Sequence, residues 1–564
     1  MVQCRTDVVL QVGPDLCSLR APMAPEPMTT NAPGLGAQVS RAVLWNTLFV
    51  PLRLLAEATA TYVKLTVLPI TSYGLLALVS GAASGLGTGI DLGTTRALPK
   101  YIPETNRAGG PRATLRLLQV VLGAQVAALF VVGAALVALH SRYFDLLRGM
   151  IRSDARLDAA AQATLLRFVD AHGWLLIAAI LLLLLLGIGF DMLMAYLNSF
   201  FKQRAWNSIT LASGLLLALL SAATVLVGWG VLGVLLAMVA APAIAVALAA
   251  WQVLRLRRAI AALPQPPDDG RLVPPGFVRY CGVSFLMTMT DFLASKSFVV
   301  FLARSLSDAA LLWAGASVVG MVLSYLYTPM VGVQVPLFTR VRAGEGGTLL
   351  GAYQSLIRLQ VLLLVPGGVG LVLLARPVFG VLFPQYIAAA PLVWVLVPCL
   401  FLESLLTTAH NALIVYERLR IIVISRLLTL VGVPLVVLLT PRLGIVGAAL
   451  AFGLARVAAG AWVTANGYRL LGLRWPWQFT MRVMLASGLM ALLVAGFGGL
   501  LPPLRAGMSL GERLWALALL LGVAGVGAAG FALVLRLLGG LDARDRAQLV
   551  RMRLPLRRWL LRLL

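Results

Sequence analysis

The stretch "IDLGTTRALPKYIPE", Ile90 to Glu104, joins the end of a long apolar run to a basic segment. Asp91 closes the run, and Arg96, Lys100, Arg107 and Arg112 follow within about twenty residues. Pro99 and Pro103 are expected to stop the preceding helix, since proline lacks an amide hydrogen and clashes with the preceding turn. Read this way, the stretch is a basic loop at the end of a membrane-crossing helix.

The rest of the chain repeats the pattern. Of 564 residues, 60% are hydrophobic and only 12% are charged, about half the charge of a typical soluble domain. The apolar residues fall into runs of roughly 20, the length that spans a bilayer as helix. They do not alternate with period two, which excludes a transmembrane barrel. The expected fold is an all-α polytopic membrane protein. Its helices are placed near 43–67, 71–95, 114–140, 172–200, 207–228, 231–254, 277–303, 309–338, 352–375, 388–415, 421–440, 444–468, 480–501 and 511–537, fourteen in all.

The net charge of +25 follows from this topology and does not indicate nucleic acid. Basic residues collect in every second connection: Arg96 to Arg116, Lys202 and Arg204, Arg255 to Arg279, Arg340 and Arg342, Arg418 and Arg420, Arg469 to Arg482. Connections between them are short and nearly neutral. Ser141 to Ala171 is longer, but its arginines are matched by Asp145, Asp154, Asp158 and Asp170, and it is expected to form an amphipathic surface segment. Positive-inside bias then puts both termini in the cytoplasm.

The two halves of the chain are similar. "GWGVLGVLLA" (Gly228–Ala237) matches "RLGIVGAALA" (Arg442–Ala451) at a shift of 214, and "LRLLQVVL" (Leu115–Leu122) resembles "LIRLQVLL" (Leu356–Leu363). Two parallel repeats of six helices follow, related by an axis along the membrane normal. The expected divisions are a tail (1–41), an N-lobe (42–254), a linker (255–276), a C-lobe (277–470), two additional helices (471–537) and a basic tail (538–564). Met23 and Met28 are alternative starts. Two bundles facing each other enclose a central cavity suited to alternating access.

Cys4, Cys17, Cys281 and Cys399 are scattered, with no CxxC pair, so neither a disulfide framework nor a metal site is expected. No GxxxxGK[ST] phosphate loop is present to drive transport with ATP.

Charges inside a membrane are costly and usually face a cavity or a partner. Arg53, Glu57, Thr61 and Lys64 share one face of the first helix. Arg53 and Lys64 there, with Lys296 and Arg304, are the expected cations for an anionic head group. Ser84, Thr88 and Asp91 share a face of the second helix, as do Ser284, Thr288 and Asp291 in the seventh; Ser324 lies on a milder stripe in the eighth. Glu57, Asp91 and Asp291 are the candidates for binding a coupling H⁺ or Na⁺. Asp91 is close enough in sequence to pair with Arg96, and Lys296 lies off the Asp291 face of a regular helix. No cofactor is expected.

"LPITSYGLLAL" (Leu68–Leu78), "GLGTGIDLGTTRALPKYIPE" (Gly85–Glu104), "YTPMVGVQVPLFTRV" (Tyr327–Val341) and "GIVGAALA" (Gly444–Ala451) together resemble the polysaccharide, O-antigen-type flippases of the multidrug/oligosaccharidyl-lipid/polysaccharide exporter superfamily. The resemblance covers about residues 40–500. It implies a two-lobed flippase of the bacterial inner membrane, not an enzyme, that exports an oligosaccharide linked to undecaprenyl pyrophosphate. Its partners would be the bilayer, a polysaccharide polymerase and glycosyltransferases. A lipid II flippase and a multidrug exporter of the same superfamily are the alternatives, with a membrane glycosyltransferase or polymerase the least supported.

Overall fold

Backbone polar groups in a bilayer have no water to bond, so a spanning chain is driven to helix throughout. The computed structural model describes residues 35–200, 202–261, 270–293, 295–342, 344, 347–499 and 508–539, and contains no strand among them. The first half comprises α1 (Leu35–Val67), α2 (Ile70–Asp91), α3 (Thr94–Ala138), α4 (His140–Arg152), α5 (Ala159–Ser199), α6 (Gln203–Leu226) and α7 (Gly230–Ala261). The second comprises α8 (Phe277–Leu293), α9 (Lys296–Val299), α10 (Leu306–Arg342), α11 (Leu349–Leu382), α12 (Ala390–Val415), α13 (Leu419–Thr429) and α14 (Gly432–Leu471). Then come α15 (Trp477–Gly498) and α16 (Leu510–Leu537). The expected terminal tails lie almost wholly outside the described residues, with Cys4 and Cys17. Cys281 and Cys399 are buried and free.

Among the described residues eleven segments are long and apolar enough to cross a membrane, or twelve if α8 and α9 form one bent span. Two further crossings are hidden by this criterion. Arg420–Leu471 would be roughly 78 Å long as one straight helix, more than twice the hydrocarbon core. It breaks at Gly444, whose φ of 58° and ψ of −145° no helix contains, so it crosses twice. α1 has 33 residues, but Arg53, Glu57 and Lys64 depress its hydropathy. The fourteen-helix, two-lobed layout is thus recovered.

The first basic segment is not a loop. The chain turns at Leu92 and Gly93, both left-handed with φ of 53° and 76°, and re-enters helix at Thr94. Pro99 and Pro103 sit inside α3, which kinks at Gly110 before Pro111. The stop comes seven residues before Pro99 because Gly93 is pressed against the second half. A Cβ there would lie 2.2 Å from the Cys281 carbonyl oxygen.

The preceding helix, α2, forms the seam between halves. A Cβ at Gly74 would lie 2.1 Å from the Leu306 carbonyl oxygen, and one at Gly85 would lie 2.4 Å from the Phe292 ring. α2 is therefore glycine-rich where its backbone must approach α8–α10, as in membrane helix pairs generally. On the side away from the basic segments, α4 is the expected amphipathic segment, with Phe144, Leu147, Met150 and Ile151 buried. Two residues beyond its end, Asp154 is 1% exposed and accepts from the Ser307 amide at 2.9 Å. Ser153 donates to the Arg304 carbonyl at 2.6 Å. These bonds fasten the first half to the start of α10.

Candidate functional site

A cavity of about 880 Å³ lies between the halves, lined by α1, α2, α6, α8–α10 and α12–α14. Glu57, Thr61, Lys64, Asp291, Lys296 and Ser324, all expected to face it, do so. Lys296 joins Asp291 because the seventh span is broken: α8 and α9 bend by 53°, which turns both side chains to one cavity. The regular helix assumed from sequence had separated them.

Two expected cations are elsewhere. Arg53 does not line the cavity; its guanidinium lies 5.6 Å from the Trp206 ring centroid and 3.5 Å from Glu57, between α1 and α6. Arg304 is in the connection before α10, where its carbonyl bonds Ser153, and it is not among the cavity lining. Neither placement was legible from helical periodicity, which fixes a face but not a neighbour.

The cavity's carboxylates are held by arginines. Asp291 accepts from Arg96 at 3.0 Å on one oxygen and from Arg426 on the other. This joins α3 of the first half to α8 and α13 of the second. Glu403 of α12 takes Arg456 of α14 at 2.7 Å. Lys64 and Lys296 differ: among the described residues neither has a carboxylate partner. Lys296 donates to Ser317 at 2.9 Å and sits 4.5 Å above the Trp313 ring centroid. Tyr62 against Phe383 and Tyr73 against Tyr386, at centroid distances of 5.6 and 5.7 Å, place aromatic contacts between the halves near these lysines.

A second pocket, of about 360 Å³, opens within the first half and is bordered by Thr288. Ser84, Thr88, Asp91, Gln125 and Asp191 line it. Asp91 does not pair with Arg96. Its Oδ1 accepts from the Thr95 amide at 2.9 Å, from Thr95 Oγ1 at 2.6 Å and from Thr94 Oγ1 at 3.1 Å, which caps the turn at Gly93. Gln125 donates to Thr94 Oγ1 at 2.8 Å, and its own Oε1 is buried without a partner. Ser284 lines neither pocket; it is buried against Gly93, and its carbonyl accepts from Thr288.

No protein-family model matches the chain, and no curated protein matches it in sequence. Its architecture does match solved structures. The lipid II flippase MurJ, in its inward closed conformation, superposes with a TM-score of 0.61, covering 87% of this chain and 98% of that one at 10% identity. An inward-facing multidrug resistance MATE family transporter of the MOP superfamily gives 0.54, with 74% and 94% covered at 13% identity. The chain shares its overall fold with these two transporters. At such identities the likeness concerns architecture, and both neighbours are transporters rather than enzymes.

Four residues of these pockets, Arg426, Glu403, Arg456 and Asp191, were not among the site residues expected from sequence. Arg426 gave no signal beyond being a lone arginine seven residues into its span. Glu403 and Arg456 could each be seen as intramembrane charges, but 53 residues separate them, and nothing in sequence paired them. Asp191 is visible in sequence only as an acid inside an apolar run; the packing of α5 on α2 puts it in the pocket that Asp91 lines.

Proposed function

We propose that this protein is a secondary flippase that exports an undecaprenyl-pyrophosphate-linked oligosaccharide by alternating access, in the service of polysaccharide biosynthesis. The observation that carries this reading is the pair of lysines without carboxylate partners, Lys64 from the first half and Lys296 from the second, in one inter-lobe cavity. A diphosphate is a compact dianionic group that ammonium ions bind as point charges. The surrounding Thr61, Ser317, Ser324, Tyr327 and Thr407 suit the hydroxyls of a sugar. The lipid chain can remain in the bilayer. Both halves contribute to the cation pair, so the anion binds differently in states where the halves have moved, and differential affinity is what lets a ligand bias a transition.

The pocket lined by Asp91, Asp191 and Gln125 offers oxygen ligands and supports coupling to H⁺ or Na⁺. Orientation with both termini in the cytoplasm of a bacterial inner membrane completes the proposal, and a periplasm-only reporter should be active near Asp154 and silent after Leu538. Transport is tested in reconstituted vesicles with the diphosphate-linked lipid. Lys64→Met/Lys296→Met should lower export at least about tenfold, equivalent to roughly 1.4 kcal/mol of binding. Glu57→Gln should change it little. Normal export by the folded double variant would sink the reading.

A further inference from the structure

A third groove, of about 180 Å³, lies apart from both pockets and is lined only by helices of the first half. Leu115, Leu118 and Leu122 of α3, Met192 and Leu193 of α5, and Leu254 of α7 make it largely apolar. Among the described residues its one charged lining residue is Arg257, one turn beyond Val253 toward the end of α7 that runs into the basic linker. From Pro111 to Leu122 the groove follows eleven residues of α3, roughly 16 Å at 1.5 Å per residue. That is about the depth of one leaflet's hydrocarbon, half of ~30 Å.

We infer that this groove holds an anionic glycerophospholipid of the leaflet on the basic side, with an acyl chain along α3 and its phosphate at Arg257. Charge complementarity favours that occupant. Arg258 neighbours Arg257, Arg112 neighbours the groove-lining Pro111, and all three are exposed. Among the described residues no carboxylate pairs with any of them. Arg255 stacks on the half-exposed Trp251 ring at 5.0 Å, an aromatic–cation pair at headgroup level. Basic sites between helices at a membrane surface select anionic head groups. The groove's depth, one leaflet and no more, and its lack of contact with the inter-lobe cavity argue for a resident lipid over the transported one.

The test uses the full chain in detergent, followed by native mass spectrometry during titration with phosphatidylglycerol, with phosphatidylcholine of the same chains, and with a polyprenyl monophosphate. One phosphatidylglycerol should be retained in preference to phosphatidylcholine. Arg257→Gln should weaken that binding about fivefold, the equivalent of ~1 kcal/mol, and Arg257→Lys should restore most of it. Arg257 is exposed, so neither substitution threatens folding. Equal retention of the two phospholipids, or no response to Arg257→Gln, overturns the proposal. Displacement of phosphatidylglycerol by the polyprenyl phosphate at equal or lower concentration also overturns it, because the occupant would then be the carrier lipid.

Discussion

The two polar pockets on either side of α2 treat their carboxylates in opposite ways. In the inter-lobe cavity Glu57, Asp291 and Glu403 each lie against an arginine: Arg53, Arg96 with Arg426, and Arg456. In the pocket of the first half, Asp91 is met by hydroxyls and an amide, and Asp191 has no ion pair among the described residues. Arg96 borders that pocket, yet its guanidinium is directed to Asp291 in the neighbouring cavity. The difference assigns chemistry. Where arginines are committed to internal acids, the cations available to an external anion are lysines. Where acids are left to neutral donors, they remain available to a cation.

Breaking the Asp291 joint should have the largest effect. Asp291→Asn leaves Arg96 and Arg426 facing each other across the halves without their shared acceptor. Charge-assisted hydrogen bonds of this kind contribute on the order of 1.5–3 kcal/mol each, reduced here because all three side chains are partly exposed. Thermal unfolding in detergent should show a clear loss of stability, larger than for Arg96→Gln or Arg426→Gln, each of which leaves one pair intact. Equal melting temperatures for all three variants would mean the joint is not a unit.

The Glu403–Arg456 pair offers a sharper contrast. It stays inside the second half, with side chains 19% and 28% exposed. Removing one partner strands a charge, and losses for buried pairs reach about 3–5 kcal/mol; partial exposure lowers the figure to roughly 2. Replacing both by apolar residues is often neutral. Glu403→Gln should therefore destabilise more than Glu403→Leu/Arg456→Leu. The opposite order, measured by denaturation, would show that the charges matter to stability beyond neutralising one another.

The architecture was open to reading from sequence because a bilayer imposes so few solutions. Apolar length gave the spans, and arginine placement gave their alternation. Breaks were harder. Gly93, Gly110 and Gly444 interrupt helices at positive φ, and none stands out among 54 glycines, whereas the conspicuous Pro99 and Pro103 do not end the helix they occupy. Lys64 and Asp291 face the inter-lobe cavity as expected, because an intramembrane charge has few tolerable environments, whereas Lys296 joins Asp291 there only through the break between α8 and α9. Arg53 and Arg304 were misplaced for the converse reason. One lies beside a tryptophan distant in sequence, and the other sits in a connection where charge is tolerated without any cavity.

A smaller effect on stability, but a decisive one for mechanism, is expected in the first-half pocket. Among the described residues neither Asp91 nor Asp191 is in a salt bridge, so Asp191→Asn should change stability by less than about 1 kcal/mol. If that pocket binds the coupling ion, vesicle transport by Asp191→Asn should lose its response to a Na⁺ or H⁺ gradient while the protein remains folded. An undiminished ion response there, combined with its loss in Asp291→Asn, would reverse the assignment of the two pockets.

A similarly small effect on stability, and the smallest on transport, belongs to Arg53. Its guanidinium faces the Trp206 ring at 5.6 Å and stands 3.5 Å from Glu57 without the geometry of a hydrogen bond. Glu57 is itself 49% exposed. A partly exposed cation–π contact contributes about 0.5–1 kcal/mol, and an exposed i,i+4 ion pair roughly 0.3–0.5. Arg53→Ala should thus lower stability by about 1 kcal/mol, and a double-mutant cycle with Trp206→Leu should recover most of it as coupling between the two side chains. Affinity for a diphosphate-linked lipid should be unchanged within about twofold, in contrast to the loss in Lys64→Met. The comparison works because Arg53 and Lys64 lie on the same helix, eleven residues apart, and carry the same charge; only Lys64 lines the cavity. If Arg53→Ala weakened diphosphate binding as much as Lys64→Met, net positive potential along α1 would govern recognition, and the contrast between committed arginines and available lysines would fail.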